Sequence, residues 1–155
     1  MIRAITDVRA GGATALYDAL VTALYQFRGV PGRKAIVVLS DGDDNHSWTT
    51  YEVLRRYVRT AGIPIYVVGL SLSILDVGLK GKLREMAGDT GAETFFISKA
   101  KELDEIYRKI EVELRSQYFL TYLTESKKTD SEFRAVEVRM RKPGLRAKTI
   151  RGYFP

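Results

Sequence analysis

A chain of 155 residues, 45% hydrophobic and 28% charged, fits one domain able to bury about two-thirds of its unfolded surface. It has no cysteine, which excludes disulfides and thiolate metal sites; no apolar run approaches the ~20 residues that span a bilayer, and the start "MIRAITDVRAGG" lacks the apolar core of a secretory signal. The net charge of +6 belongs to the tail, where ten Lys/Arg face four Asp/Glu from Arg115 onward, while the first 114 residues hold 15 of each sign.

In chain order, "GGATALYDALVTALYQFRG" predicts a glycine turn and an amphipathic helix, with Leu16, Leu20, Leu24 and Phe27 at helical spacing and Gly29 and Pro31 to end it. "KAIVVLS" is a continuous apolar run of strand length, the pattern of a strand covered on both faces. "TTYEVLRRYVRTAG" predicts a helix closed at Gly62, and "IPIYVVGL" a second buried strand. "LKGKLREMAGDTG" then predicts a short helix and "AETFFIS" a third strand. In "AKELDEIYRKIEVELRSQ", Leu103, Ile106, Tyr107, Ile110 and Leu114 share one side of a long helix. Alternation of this kind predicts an α/β fold, a Rossmann-like doubly wound parallel sheet with right-handed crossovers, over residues 1–116.

From Gln117 the period changes to two. "YFLTYL", "FRAVEVRMR" and "AKTIRGYF" predict an antiparallel hairpin or meander over 117–155, packed on the first part. Its turns fall at Lys127 to Asp130 and at "KPGL", and Val136, Val138 and Met140 face away from Glu137, Arg139 and Arg141. The basic residues read as a wet strand face kept soluble by charge. The alternative is phosphate binding, against which stand Glu137 among the cations and the lack of an aromatic stacking platform on that face.

Chemistry concentrates in "VVLSDGDDNHSW", where a buried strand stops at carboxylates, an amide, a hydroxyl and the only histidine. Ligands gather at the carboxyl ends of parallel strands. With Gly42 making a sharp turn, Asp41 looks into that crevice, and Thr14 of "GGAT" reaches it from the neighbouring loop. A hydroxyl and a carboxylate suit a hard cation such as Mg²⁺. The alternative makes Asp41 and Asp44 turn and cap residues, the loop serving the helix that follows.

Asp18 either braces the crevice loops or is an exposed helical acid. Trp48 either contacts a partner on the rim or packs at a helix start. His46 reads as an exposed loop residue, since adjacent residues such as His46 and Ser47 cannot align as base and nucleophile. An EF-hand spacing from Asp41 to Glu52 fails at His46, where glycine is required, and a strand precedes it. "GGAT" and "GVPGRK" lack the spacing of phosphate-binding loops.

Taken in order, "GGATALYDAL", "KAIVVLSDGDDN" and "IPIYVVGL" resemble the second half of a von Willebrand factor type A domain. The tail resembles a bacterial subgroup carrying a short β-extension. The resemblance implies a sheet bearing a metal-ion-dependent adhesion site at its carboxyl edge, with Thr14 matching the family's threonine ligand and Asp41 its aspartate. Asp18 and Asp44 are then supporting residues, and His46 and Trp48 lie on the partner-binding rim. The family's Asp-x-Ser-x-Ser stretch, at the end of its first strand, does not occur here, and "SLSILD" has its carboxylate out of place.

The expectation is therefore a truncated, non-enzymatic protein-binding domain with half a site for Mg²⁺ (or Mn²⁺ or Ca²⁺). The family's mode of contact implies a protein partner offering an acidic residue, and the resemblance implies an exported or cell-envelope bacterial parent. Without a first strand, the apolar edge of "KAIVVLS" invites self-association. The alternatives are a metal-free structural or assembly module and a basic nucleic-acid-binding domain.

Overall fold

The computed structural model describes residues 11–41, 43–70, 72, 76–123 and 132–154; the expected turn residue Gly42 and the turn at 127–130 lie outside them. Helix α1 (Leu16–Gln26) forms on the expected spacing and buries Leu16, Tyr17, Leu20 and Leu24. Strand β1 (Ile36–Ser40) follows. Helix α2 (Tyr51–Ala61) starts where the Thr50 hydroxyl accepts the Val53 amide and stops at Gly62, whose φ of 61° is the left-handed conformation that glycine adopts without penalty. Leu54 and Val58, one turn apart, are its buried pair.

Strand β2 (Ile65–Leu70) is buried over Ile65 to Gly69, as a central strand must be. Helix α3 (Val77–Asp89), strand β3 (Thr94–Ile97), a single 3₁₀ turn (Ala100–Glu102) and helix α4 (Leu103–Arg115) complete the series. The strands are parallel in the order β1-β2-β3, with Val38 opposite Val67 and Val68 opposite Phe95.

Helices cover both faces. Leu20, Leu24, Val38, Leu54, Val58, Val67, Leu83 and Met86 form one core under α1, α2 and α3. Tyr66, Val68, Ile97, Ile106 and Ile110 form the other under α4. The layered α/β fold expected from the sequence is the one observed. Leu103, Ile106, Ile110 and Leu114 pack inward as expected, while Tyr107 lies nearly half exposed at the margin.

The tail forms a separate antiparallel ribbon, and the ladder is shorter than the alternation suggested. Strands β4 (Arg134–Ala135) and β5 (Gly152–Tyr153) pair over two positions, with the Val136 amide donating to the Arg151 carbonyl beyond them. "YFLTYL" is in no strand. Val138 and Met140 remain exposed, so the period-two pattern lacks a second layer to bury its apolar side.

The ribbon is pinned at the amino edge of the sheet. Arg59 lies over the Phe133 ring at 4.6 Å and Arg56 over the Phe154 ring at 5.9 Å, the two rings being 5.3 Å apart. Gly91, at φ 75°, lets the tail approach closely, for a Cβ there would sit 2.6 Å from the Thr149 carbonyl carbon. Lys148 joins Glu93 and Glu113.

At the centre of this contact is Asp89, the last residue of α3, 1% exposed. Its carboxylate takes Arg55 Nε at 2.6 Å and Arg59 Nε at 3.0 Å, with Arg151 Nη1 at 3.5 Å. Arg55 also holds Glu85 at 2.7 Å. The sequence reading did not single out this cluster. Its one local sign is Arg55 and Arg59, a helical turn apart on an otherwise apolar-facing stripe.

Candidate functional site at the carboxyl edge

Helix α1 has no cap of its own. Ala15 precedes it and offers no side-chain acceptor, so the first amides need partners from elsewhere. The acidic loop supplies them. The Tyr17 amide donates to Asp44 Oδ2 at 2.8 Å and the Asp18 amide to Ser47 Oγ at 3.0 Å, and the Ser47 hydroxyl donates to Asp44 Oδ2 at 2.6 Å. The Ser47 amide completes the set on Asp44 Oδ1 at 3.0 Å.

Asp44 is thus a cap, as one reading of the loop held, but for the helix before it rather than the one after. Thr50 serves the latter. A negative charge at a helix start is further favoured by the macrodipole.

The support is reciprocal. Asp18, in the first turn of α1, reaches back and accepts the Trp48 amide on Oδ2 at 2.9 Å and the Thr49 amide on Oδ1 at 3.0 Å. Thr14 adds a third stitch, for its amide donates to Asn45 Oδ1 at 2.8 Å and its carbonyl accepts from the Asn45 and His46 amides at 2.9 and 3.1 Å. The two loops therefore hold one another by side chains and backbone alike.

The carboxyl groups are tuned accordingly. Asp44 is partly buried, which alone would raise its pKa; hydrogen bonds from Ser47, Tyr17 and His46 outweigh this and lower it. The Asp18 pKa is lowered first by the Thr49 hydroxyl, then by the Trp48 and Thr49 amides.

Asp41 is exposed and is the first residue beyond β1; Thr14 is half-buried in the opposing loop. Asp43 lies 3.6 Å from Lys82 of α3. Trp48 is 96% exposed, so it does not pack at the helix start, and its backbone is fixed by Asp18. His46 is exposed as expected.

As a metal site this donor set is incomplete. Asp18 and Asp44 have both oxygens engaged by N–H and O–H donors, and among the described residues no three His, Cys, Asp or Glu gather to hold an ion. Thr14 and Asp41 are two oxygen donors, and Mg²⁺ demands near-octahedral coordination. These residues by themselves do not fit a closed cation site.

A parallel sheet with helices on both faces, its strand-end loops clasped at the carboxyl edge, has a Rossmann-like α/β architecture. The family model of the von Willebrand factor type A domain matches residues 1–109, and the chain belongs to that family. Such domains are in general protein-interaction modules, often holding a divalent cation. No curated protein matches the chain. One similar solved structure, an uncharacterized membrane spanning protein from Vibrio fischeri, is 21% identical with a TM-score of 0.45. The likeness covers 72% of this chain and 64% of that one, so less than two-thirds of that protein is spanned. No helix among the described residues is long and apolar enough to cross a membrane.

Proposed function

We propose that this chain is a non-enzymatic protein-binding module whose contact edge is the carboxyl edge of the sheet. The observation that carries the reading is the reciprocal clasp of Asp44 and Asp18, which fixes two loops while leaving Asp41 and Trp48 facing solvent. A large aromatic side chain held out from a fixed backbone is suited to a protein contact. In this reading Trp48 and His46 form the rim, and Asp18 and Asp44 brace it. Thr14 and Asp41 are two ligands of an adhesion site that is incomplete in this chain. The partner offers an acidic residue, and the parent protein is exported or belongs to a bacterial cell envelope. Residues 1–116 form the binding domain and 117–155 its β-extension.

Two donors give weak cation binding, with a dissociation constant of ~1 mM or above. Paramagnetic Mn²⁺ titrated into labelled protein should broaden the amide signals beside Thr14 and Asp41 selectively, and Asp41→Ala should remove the effect. Broadening that ignores this edge, or that persists in the variant, would eliminate the half-site.

A second reading, a metal-free assembly module, is favoured by one observation: among the described residues, β1 pairs with a strand on one side only. Nucleic-acid binding gains nothing from the structure, since Arg139, Lys148 and Arg151 are each paired with a carboxylate.

A further inference from the structure

Where the residues leaving α4 meet β5, two phenols touch. The Tyr122 hydroxyl donates to the Tyr153 hydroxyl at 3.2 Å, across 31 residues of sequence. Tyr122 is 59% exposed and Tyr153 partly so, which leaves the pair open to a reagent in solution. The bond has a direction. Accepting it lowers the pKa of the Tyr153 phenol, with Arg134 adding to the effect, while donating it raises that of Tyr122. Tyr153 is therefore the ring nearer to phenolate, the form from which an electron is most easily removed.

The other tyrosines differ in reach or in company. The rings of Tyr17 and Tyr51 lie 5.8 Å apart, but Tyr17 is buried, and the Tyr51 hydroxyl is spent on the Lys82 carbonyl and Glu85. Burial raises the pKa of both phenols, against loss of a proton. Tyr118 is 90% exposed and has no tyrosine against it among the described residues. Tyr122 and Tyr153 alone combine access with contact.

We propose that Tyr122 and Tyr153 form an oxidative cross-linking site, at which a haem peroxidase with hydrogen peroxide joins the two rings as dityrosine. Each phenol gives up one electron and its hydroxyl proton. The unpaired spin spreads to the ring carbons beside each oxygen, and one such carbon from each ring forms the new C–C bond. The hydrogen on each of these carbons then passes to its own ring oxygen, which restores two phenols. The chain loses two hydrogen atoms in all, and one peroxide takes them and becomes two waters. Contact between the rings replaces a chance encounter between radicals by a step within one molecule. The product ties the stretch after α4 covalently to β5, a closure that a chain without cysteine cannot make by disulfide.

The test is to treat the dilute whole chain with a haem peroxidase and hydrogen peroxide, following dityrosine fluorescence and mapping cross-linked peptides by mass. The expected product is a monomer lighter by two hydrogens, linked between 122 and 153, whose yield per chain does not change with protein concentration. Tyr122→Phe and Tyr153→Phe keep the rings and lose only the exposed hydroxyl contact, so both should melt like the parent. Each should lower the intrachain yield about tenfold or more, whereas Tyr118→Phe should leave it unchanged.

Closing a loop of this length should raise the urea midpoint of the purified product by about 1 M. An intrachain link that survives in Tyr122→Phe overturns the site. So do links found only between chains, with a yield that climbs with concentration. A linked product with the parent's urea midpoint overturns its role in fastening the tail.

Discussion

Asp44 and Asp89 are the same residue type at opposite edges of one sheet, and they are held by different chemistry. Asp44 lies at the start of α1, where the helix dipole favours an anion, and it keeps some contact with solvent. Neutral donors suffice there: the Tyr17, Ser47 and His46 amides and the Ser47 hydroxyl. Asp89 ends α3, where the dipole is unfavourable to a carboxylate, and it is buried. Amides pointing inward are not to be had at a helix end, so three guanidinium groups from α2 and the tail converge on it. Burial and dipole direction together decide whether a hydrogen-bond cap or an ion cluster is required.

The largest effect expected from this contrast is at Asp89. Replacing it by alanine leaves Arg55 and Arg59 without their carboxylate. Removing one partner of a buried pair costs 3–5 kcal/mol, and the lower figure, about 3 kcal/mol, is expected because both arginines retain some solvent contact. The urea midpoint should fall accordingly, and hydrogen exchange in the tail should quicken as Arg151 loses its anchor. A variant that unfolds like the parent would show that the cluster is not needed.

The Asp89 carboxyl is buried, which by itself raises its pKa, but the Arg55 and Arg59 contacts win and lower it. A folded-state pKa below the unfolded value of ~3.9 gives stability that is complete at neutral pH. It declines as pH drops below that value and is gone once pH passes the folded pKa. Urea midpoints taken from neutral to acid pH should therefore fall less steeply for Asp89→Asn than for the parent.

The two edges were unequally legible in the sequence. Strand and helix order was readable because "KAIVVLS" and "IPIYVVGL" are unbroken, β-branched apolar runs of strand length, while Leu16, Leu20 and Leu24 recur at helical spacing. Gly62 carried its cap role openly, whereas the cap of α2 is Thr50 and not the Asp41 or Asp44 that the loop's composition suggested. The acidic loop announced itself by composition, but its service to α1 depends on Tyr17 and Asp18 amides 27 and 29 residues earlier, which no local pattern encodes. Asp89 was unreadable for the same reason, its partners lying on α2 and in the tail. The overlong reading of the tail has another origin, since alternation records which side chains are apolar and not whether a layer is present to cover them.

Asp44→Ala should be the next largest effect, about 1 kcal/mol, the usual cost of an N-cap. Asp44→Asn should lose roughly half of that, since one oxygen can still accept the Tyr17 amide while the other acceptor becomes a donor facing Ser47. Thermal melts of the three proteins should rank parent, Asn and Ala in that order. Equal losses for Asn and Ala would mean that charge, rather than capping, holds the loop.

The smallest effect sharpens the contrast furthest. Asp18 uses both oxygens to hold amides of the opposing loop rather than groups of the core, so its loss should move the melt less than that of Asp44. Asparagine keeps one acceptor and turns a donor toward the other amide. Asp18→Asn should therefore speed hydrogen exchange at Trp48 and Thr49 several-fold, with Trp48 fluorescence anisotropy falling as its backbone loosens. Exchange in β2 should stay as in the parent, because Ile65 is tied instead to the Thr90 hydroxyl at the other edge. If the change spread to β2, the clasp would be part of the core rather than a local brace. The rim that Trp48 occupies could not then be tuned apart from the fold.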